Sequence, residues 1–222
     1  QNYIIKQCQT PLVLVLSDID RFFKYPHIAH DFFVLLRSWC EEARQNHNWQ
    51  KLRLVLVYST EQYISLDINQ SPFNIGLPIR LHEFTQQQIE ELARRYGFRW
   101  TVGKESARLM SLVGGHPALI QLALYYLSSG TITLTELIQD AIANGGIYRE
   151  HLQQHWVRLR ANLHLVRLYT ELVTSQKSLL LDPMDTYKLE SLGLISLEGD
   201  RILPRCELYR TYFAKQLSIM AS

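Results

Sequence analysis

The 222-residue sequence is short of cysteine, of long apolar runs and of any excess of one charge. Cys8, Cys40 and Cys206 lie far apart and are odd in number. That argues against a disulfide framework or a Cys-x-x-Cys metal site, and suits reduced thiols in a cytoplasmic protein. No stretch approaches the roughly 18 apolar residues of a membrane span. Gln1-Asn2-Tyr3 lacks the basic and then apolar succession of a signal peptide. Lys and Arg number 23 against 21 Asp and Glu, divided 13 to 13 over residues 1–146 and 10 to 8 over residues 147–222. Composition therefore gives no electrostatic basis for strong nucleic-acid or membrane-surface binding.

A glycine-rich phosphate loop is also missing. Gly97 and Gly103-Lys104 come nearest, but five residues separate the glycines, Glu105 stands where Ser or Thr belongs, and a helical pattern precedes them. His151 and His155 are one helical turn apart, like a zinc pair. The intervening Leu152-Gln153-Gln154 lacks the glutamate a hydrolytic site needs, so two surface histidines are expected. His27 and His30 read the same way. No Ser/His/Asp or Cys/His order stands out.

What is present is α/β at the start and helical afterwards. Residues 12–16 (LVLVL) and 54–58 (LVLVY) are Val- and Leu-rich runs that read as parallel strands covered on both faces. Between them, residues 26–45 have helical apolar spacing opened by Pro26. The three make a βαβ unit. A third short strand is expected at Ile79-Arg80-Leu81, after a turn at Ser71-Pro72-Phe73-Asn74. Helices follow from Thr85 (capping box with Gln88) to about residue 96, over 104–113, and from Pro117 to about 126. A fourth, capped by Thr133 or Thr135, ends before Gly145-Gly146. The last third predicts helices over 148–162, 164–174 and 184–192, two strands around the three-residue loop Glu198-Gly199-Asp200, and a helix over 207–217. Helices followed by a hairpin form the winged-helix pattern.

The first strand raises the functional question, because PLVLVLSDIDRFF ends in Ser17, Asp18 and Asp20. The C-terminal ends of parallel strands are where open α/β sheets bind ligands. Acids there, and Ser59-Thr60-Glu61 after the next strand, suit an ATPase, where acids hold Mg²⁺ and a neighbouring polar group senses the γ-phosphate. Spacing alone leaves equally open that Asp18 and Asp20 start a solvated loop or cap a helix.

Four stretches decide between these readings: PLVLVLSDIDRFF, LRLVLVYSTEQYISLDINQSPFNIG, VGGHPALIQLALYYL and KLESLGLISLEGDRILPRCELYRTYF. In their order, and over residues 11–217, they resemble the cyanobacterial AAA-like domain, a branch of the STAND-type (signal-transduction) P-loop ATPases often joined to WD-repeat or other sensor modules. The resemblance implies a partial nucleotide-binding α/β core over residues 1–83, a helical lid over 84–146 and a C-terminal winged-helix domain over 147–222. It places LVLVLSDID on the Walker B strand, Ser59 and Thr60 at the sensor position, and Gly115, His116 and Pro117 on the lid motif whose proline packs near adenine. Gly114 to Pro117 also reads as a plain helix stop followed by an N1 proline.

Two departures from the family pattern bear on catalysis. Where the family has Asp-Glu-x-Asp, this chain has Ser17, Asp18 and Asp20, which leaves Asp18 as a weak Mg²⁺ ligand and a short-reaching partner for water. The Walker A motif, upstream in the family, is absent from these residues. The expectation is a C-terminal piece of a signalling ATPase that uses ATP or ADP and Mg²⁺ when intact. Alone it would bind no cofactor and hydrolyse no ATP. A missing P-loop segment or another chain would cover the sheet edge, and self-association or protein partners are expected. The alternatives are a winged-helix DNA-binding regulator, reading phosphates through Lys188, Arg201 and Arg205, and a degenerate ATPase-fold scaffold.

Overall fold

Leucine at every second position of two short segments builds the N-terminal part of the protein. The computed structural model describes residues 3–58, 76–79, 81–175 and 179–221, and the chain divides into two compact units, Gln1–Arg80 and Leu81–Ser222. In the first unit, α1 (Tyr3–Gln7) precedes β1 (Leu12–Leu16), α2 (Pro26–Gln45) and β2 (Leu52–Leu56). β1 and β2 pair in parallel, with Leu12 opposite Leu52 and Leu16 opposite Leu56. β1 and α2 have the bounds the sequence predicts, whereas β2 begins two residues earlier than expected.

α2 covers one face of the pair. Ala29, Phe33 and Leu36 on the helix are fully buried with Ile19, and Leu16, Leu54 and Leu56 pack against them. Phe22 stacks on Phe32 with ring centroids 4.7 Å apart. The opposite face is open, with Val13 58% exposed, Val15 56% and Val55 43%. The expectation of strands covered on both faces is therefore corrected. The period-2 geometry sends the leucines to one side and the valines to the other, and one helix can cover only one side. Ile79 and Leu81 are exposed and lie in no strand, so the third strand does not form at either; Arg80 and the 71–74 turn lie outside the described residues.

The second unit is helical apart from one hairpin. It comprises α3 (Gln86–Arg95), α4 (Glu105–Val113), α5 (Pro117–Ser128), α6 (Leu134–Asn144), α7 (Arg149–Arg160), α8 (Leu163–Thr174), α9 (Pro183–Ser191), β3 (Ile195–Glu198), β4 (Arg201–Pro204) and α10 (Glu207–Ala221). Both capping boxes form, Thr85 with Gln88 and Thr133 with Glu136, so Thr133 rather than Thr135 starts α6. The hairpin loop is two residues long, not three: Glu198 pairs with Arg201 across Gly199-Asp200, and Gly199 has φ +60°. Pairing as far as Glu198 is possible because a tight loop accepts the left-handed backbone that glycine supplies.

One continuous core runs from Ile89 in α3 to Leu217 in α10, so residues 84–146 and 147–222 share their apolar packing. Tyr148, Tyr169, Tyr209 and Phe213 are its largest fully buried members. The Gly103 turn has a structural role: its amide donates to Glu90 Oε1 at 3.0 Å, and buried Ser106 donates to the same oxygen at 2.8 Å. The molecule is thus mostly helical with a small parallel sheet, and no helix among the described residues is long and apolar enough to cross a membrane.

The two faces of the sheet should answer differently to mutation. Phe33→Ala removes the centre of a four-residue core and is expected to destabilise by about 3–5 kcal/mol, enough to unfold the first unit. Val15→Thr on the open face should stay within about 0.5 kcal/mol of the parent. Hydrogen exchange of the β1 and β2 amides distinguishes these outcomes.

Candidate functional site

In the first unit the polar end of β1 is pinned by the residue between its acids. Ile19 is 1% exposed in the small core, and its amide donates to the Val57 carbonyl at 3.3 Å. Ser17 and Asp18 are thereby left exposed, with Asp20 half-buried. Asp18 has φ 55° and ψ 35°, the one non-glycine residue with positive φ among the described residues. Its carbonyl accepts from the Arg21 amide at 3.0 Å, which begins a 3₁₀ turn over Ile19–Lys24. Ser17, Asp18 and Asp20 thus follow directly on the C-terminal end of a parallel strand. Ser59 and Thr60 lie outside the described residues. Among the described residues no group of three or more His, Cys, Asp or Glu side chains could hold a metal ion.

In the second unit the Gly114–Pro117 turn is held against the segment that leads into α3. The Phe84 amide donates to the Gly115 carbonyl at 2.8 Å, and the Gly115 amide donates to Glu83 Oε2 at 3.2 Å. A Cβ on Gly115 would lie 2.2 Å from the Phe84 oxygen and 2.9 Å from its nitrogen, so the close approach requires glycine. Arg205, at the start of the turn into α10, donates from Nε and Nη2 to Glu83 Oε1 at 2.9 and 2.8 Å. His116 caps α5, its Nδ1 accepting from the Leu119 amide at 3.5 Å, and exposed Pro117 is the first residue of that helix.

Behind the turn stands a cluster that the sequence reading assigned to the surface. The His116 ring meets His151 edge-on at 5.3 Å between centroids, and His151 meets His155 at 4.6 Å. The Tyr209 hydroxyl lies 2.5 Å from His151 Nε2 and 3.1 Å from His155 Nε2. His155 is 4% exposed. The surface expectation for His151 and His155 is corrected: α7 turns both rings toward α10, where the phenol of fully buried Tyr209 gives them a polar partner. His27 and His30 are exposed, as expected.

Burial is the largest cause lowering the basicity of all three imidazoles. For His116, Arg205 and then His151 lower it further, to about 4. For His155 the charges of His151, His116 and Arg205 add to burial and bring it to about 4, opposed by the Leu192 carbonyl. His151 is held below its usual value by burial and Arg205. Burial also pushes the Cys206 thiol up to about 12, a poor nucleophile by this measure.

The residues of the expected phosphate-reading surface are partly engaged. Arg205 pairs with Glu83, and Lys188 lies 3.6 Å from Asp185, whose carboxyl also meets His164 Nε2 at 2.7 Å; Arg201 is exposed. Sequence reasoning missed Glu83 and Tyr209. No local pattern marks either one, because their partners lie 122 and 54–58 positions away along the chain.

The chain matches the AAA-like domain family over residues 1–215, and it belongs to that family. Over 142 residues it is 25% identical to an uncharacterized WD repeat-containing protein of Synechocystis sp., an alignment covering 61% of this chain and 11% of that protein. The chain thus corresponds to a small part of that relative's length. No solved structure matches it significantly.

Glycine at 115 gives a sharp test. Gly115→Ala sets a methyl against backbone atoms that cannot move aside, and should destabilise the second unit by on the order of 4 kcal/mol. Gly97→Ala has φ +88° but open space around the new carbon, and should cost about 1 kcal/mol. Urea denaturation followed by fluorescence measures both.

Proposed function

We propose that residues 1–222 are the C-terminal part of a STAND-type signalling ATPase: a partial P-loop core, a lid and a winged-helix module that act as a regulatory nucleotide switch. The observation that carries this reading is Asp18, an aspartate in the left-handed region at the C-terminal end of a parallel strand, in a chain of the AAA-like family. Such a backbone costs a non-glycine residue about 1 kcal/mol, which glycine would avoid. Retaining a carboxylate there is what a functional requirement would produce.

Asp18 and Asp20 would hold Mg²⁺, with Ser17 as a neutral donor. Two carboxylates without a closed cage suit an ion that arrives on nucleotide phosphates, since Mg²⁺ commonly takes one or two carboxylates and completes its shell with phosphate and water. Bound there, the ion would supply positive charge against the phosphates. Ser59 and Thr60 would report on the γ-phosphate, and Gly115, His116 and Pro117 on the base. The sequence offers no glycine-rich loop for the β- and γ-phosphates, so these residues alone are not expected to hydrolyse ATP. The relative's WD repeats support joining the domain to a sensor, and the open valine face supports a further segment or chain over the sheet.

Isothermal titration with Mg-ATP tests the reading. The longer polypeptide is expected to bind tighter than about 100 μM, and Asp18→Asn to weaken that binding about tenfold. These 222 residues alone should bind more weakly than the same limit. Failure of the longer polypeptide to bind ATP or ADP would overturn the switch and leave the scaffold reading. A DNA-binding role has less support, because Arg205 and Lys188 already face Glu83 and Asp185.

A further inference from the structure

The three imidazoles behind the Gly114–Pro117 turn belong to different elements: His116 caps α5, whereas His151 and His155 stand on α7. His151 and His155 share a partner, the hydroxyl of Tyr209 on α10, and His116 joins the group through its edge-on ring contact with His151. A phenol carries one proton. While it donates that proton to one Nε2, the other Nε2 can donate back to its oxygen, and the phenol proton finds an acceptor between these rings only if at least one Nε2 is unprotonated. If both Nε2 atoms carry protons, the phenol faces two donors and its own buried O–H has no acceptor among them. An unpaired buried polar group costs about 1–3 kcal/mol.

The surroundings add to this bias. Arg205 in the β4–α10 turn acts on all three rings; a Cβ on Gly193 would touch Arg205 Nη1 at 3.4 Å and His155 Cε1 at 3.7 Å, so ring and guanidinium flank the same glycine. Arg158 on α7 adds a second positive charge near Tyr209. Glu83, the acid on this side, already accepts from Arg205 and Gly115. The Cys206 thiol is neutral, and among the described residues the buried Tyr148 hydroxyl has no hydrogen-bond partner. No carboxylate of the described residues is among the groups that act on the three rings, and for His155 the Leu192 carbonyl is what opposes the shift.

We propose that the His116–His151–Tyr209–His155 chain is an acid-sensitive latch. Protonating its imidazoles separates the N-terminus of α5 from α7 and α10 while the rest of the second unit stays folded. This device shares His116 with the nucleotide reading but does not rest on it, since it needs neither Asp18 nor a phosphate.

The direction follows from the depressed basicity. The latched form holds the imidazoles neutral while the opened form protonates near 6.5, so latching is complete above about pH 7 and is lost as pH falls from 6.5 toward 4. For each ring held down to about 4, lowering the pH from 7.5 to 5.0 favours the open form roughly thirtyfold.

Hydrogen exchange on the 222-residue chain at pH 7.5 and 5.0, scaled for intrinsic rates, is the test. Amides over 117–122, 149–156 and 207–213 are expected to exchange at least tenfold faster at pH 5.0, and those over 89–95 to change less than twofold. The triple variant H116N/H151Q/H155Q keeps a helix cap and hydrogen-bonding groups but cannot titrate, and should lose the pH response. Uniform loss over the whole unit, no change at pH 5.0, or an acid response retained in the triple variant would each overturn the latch. If the triple variant does not fold, ring NMR of the unmodified chain decides. Two of the eight histidines should stay neutral to near pH 5, and all eight titrating near 6.5 would refute the proposal.

Discussion

The second unit depends on a backbone contact in which no side chain can take part. Phe84 and Gly115 meet so closely that a single added carbon would overlap the Phe84 carbonyl oxygen at 2.2 Å. The contact fixes the segment before α3 against the N-terminus of α5. Glu83 is thereby brought within reach of Arg205, and His116 against His151. The Glu83–Arg205 pair is a consequence rather than the cause. Its side chains are 40% and 28% exposed, and a pair that wet contributes about 1 kcal/mol or less. Steric exclusion at Gly115 is the stronger constraint, and the ion pair and ring contacts are arranged around it.

The same constraint changes how the Gly-Gly-His-Pro segment should be understood. Gly114 takes φ 63° and ends α4, Gly115 allows the close approach, His116 caps, and Pro117 opens α5. Each residue has a local structural reason to be there. That does not compete with a role toward a ligand, because a turn so tightly specified holds its exposed atoms in one geometry. At the other end of the sequence the polar tip of β1 has a different character. Ser17 and Asp18 are exposed, and only Ile19 between the acids is fixed by burial.

Local signals were legible in the sequence, and distant ones were not. Pro26 and the apolar spacing gave α2, and the Thr85 capping box gave the start of α3, because cap chemistry acts over three residues; for α6 the sequence left Thr133 and Thr135 both open, and the structure selects Thr133. The acids after β1 were visible for the same reason. The faces of the strands were not: LVLVL reads as continuous apolar whether one side or both are covered, and which side is covered depends on the number of helices available. Histidines four positions apart were noticed but sent to the surface, since nothing near them in sequence announces Tyr209. Ser59 and Thr60, the sensor pair, fall outside the described residues, so that half of the strand-end site rests on sequence alone.

The open valine face described for the β1–β2 pair also bears on the behaviour of the chain in solution. Val13, Val15 and Val55 form an apolar stripe on a molecule whose formal charge is only +2. Little long-range repulsion keeps two copies apart, and added salt screens what there is while strengthening the attraction between apolar surfaces. The sheet is thus one surface through which copies can meet, and low salt rather than added salt disfavours that contact.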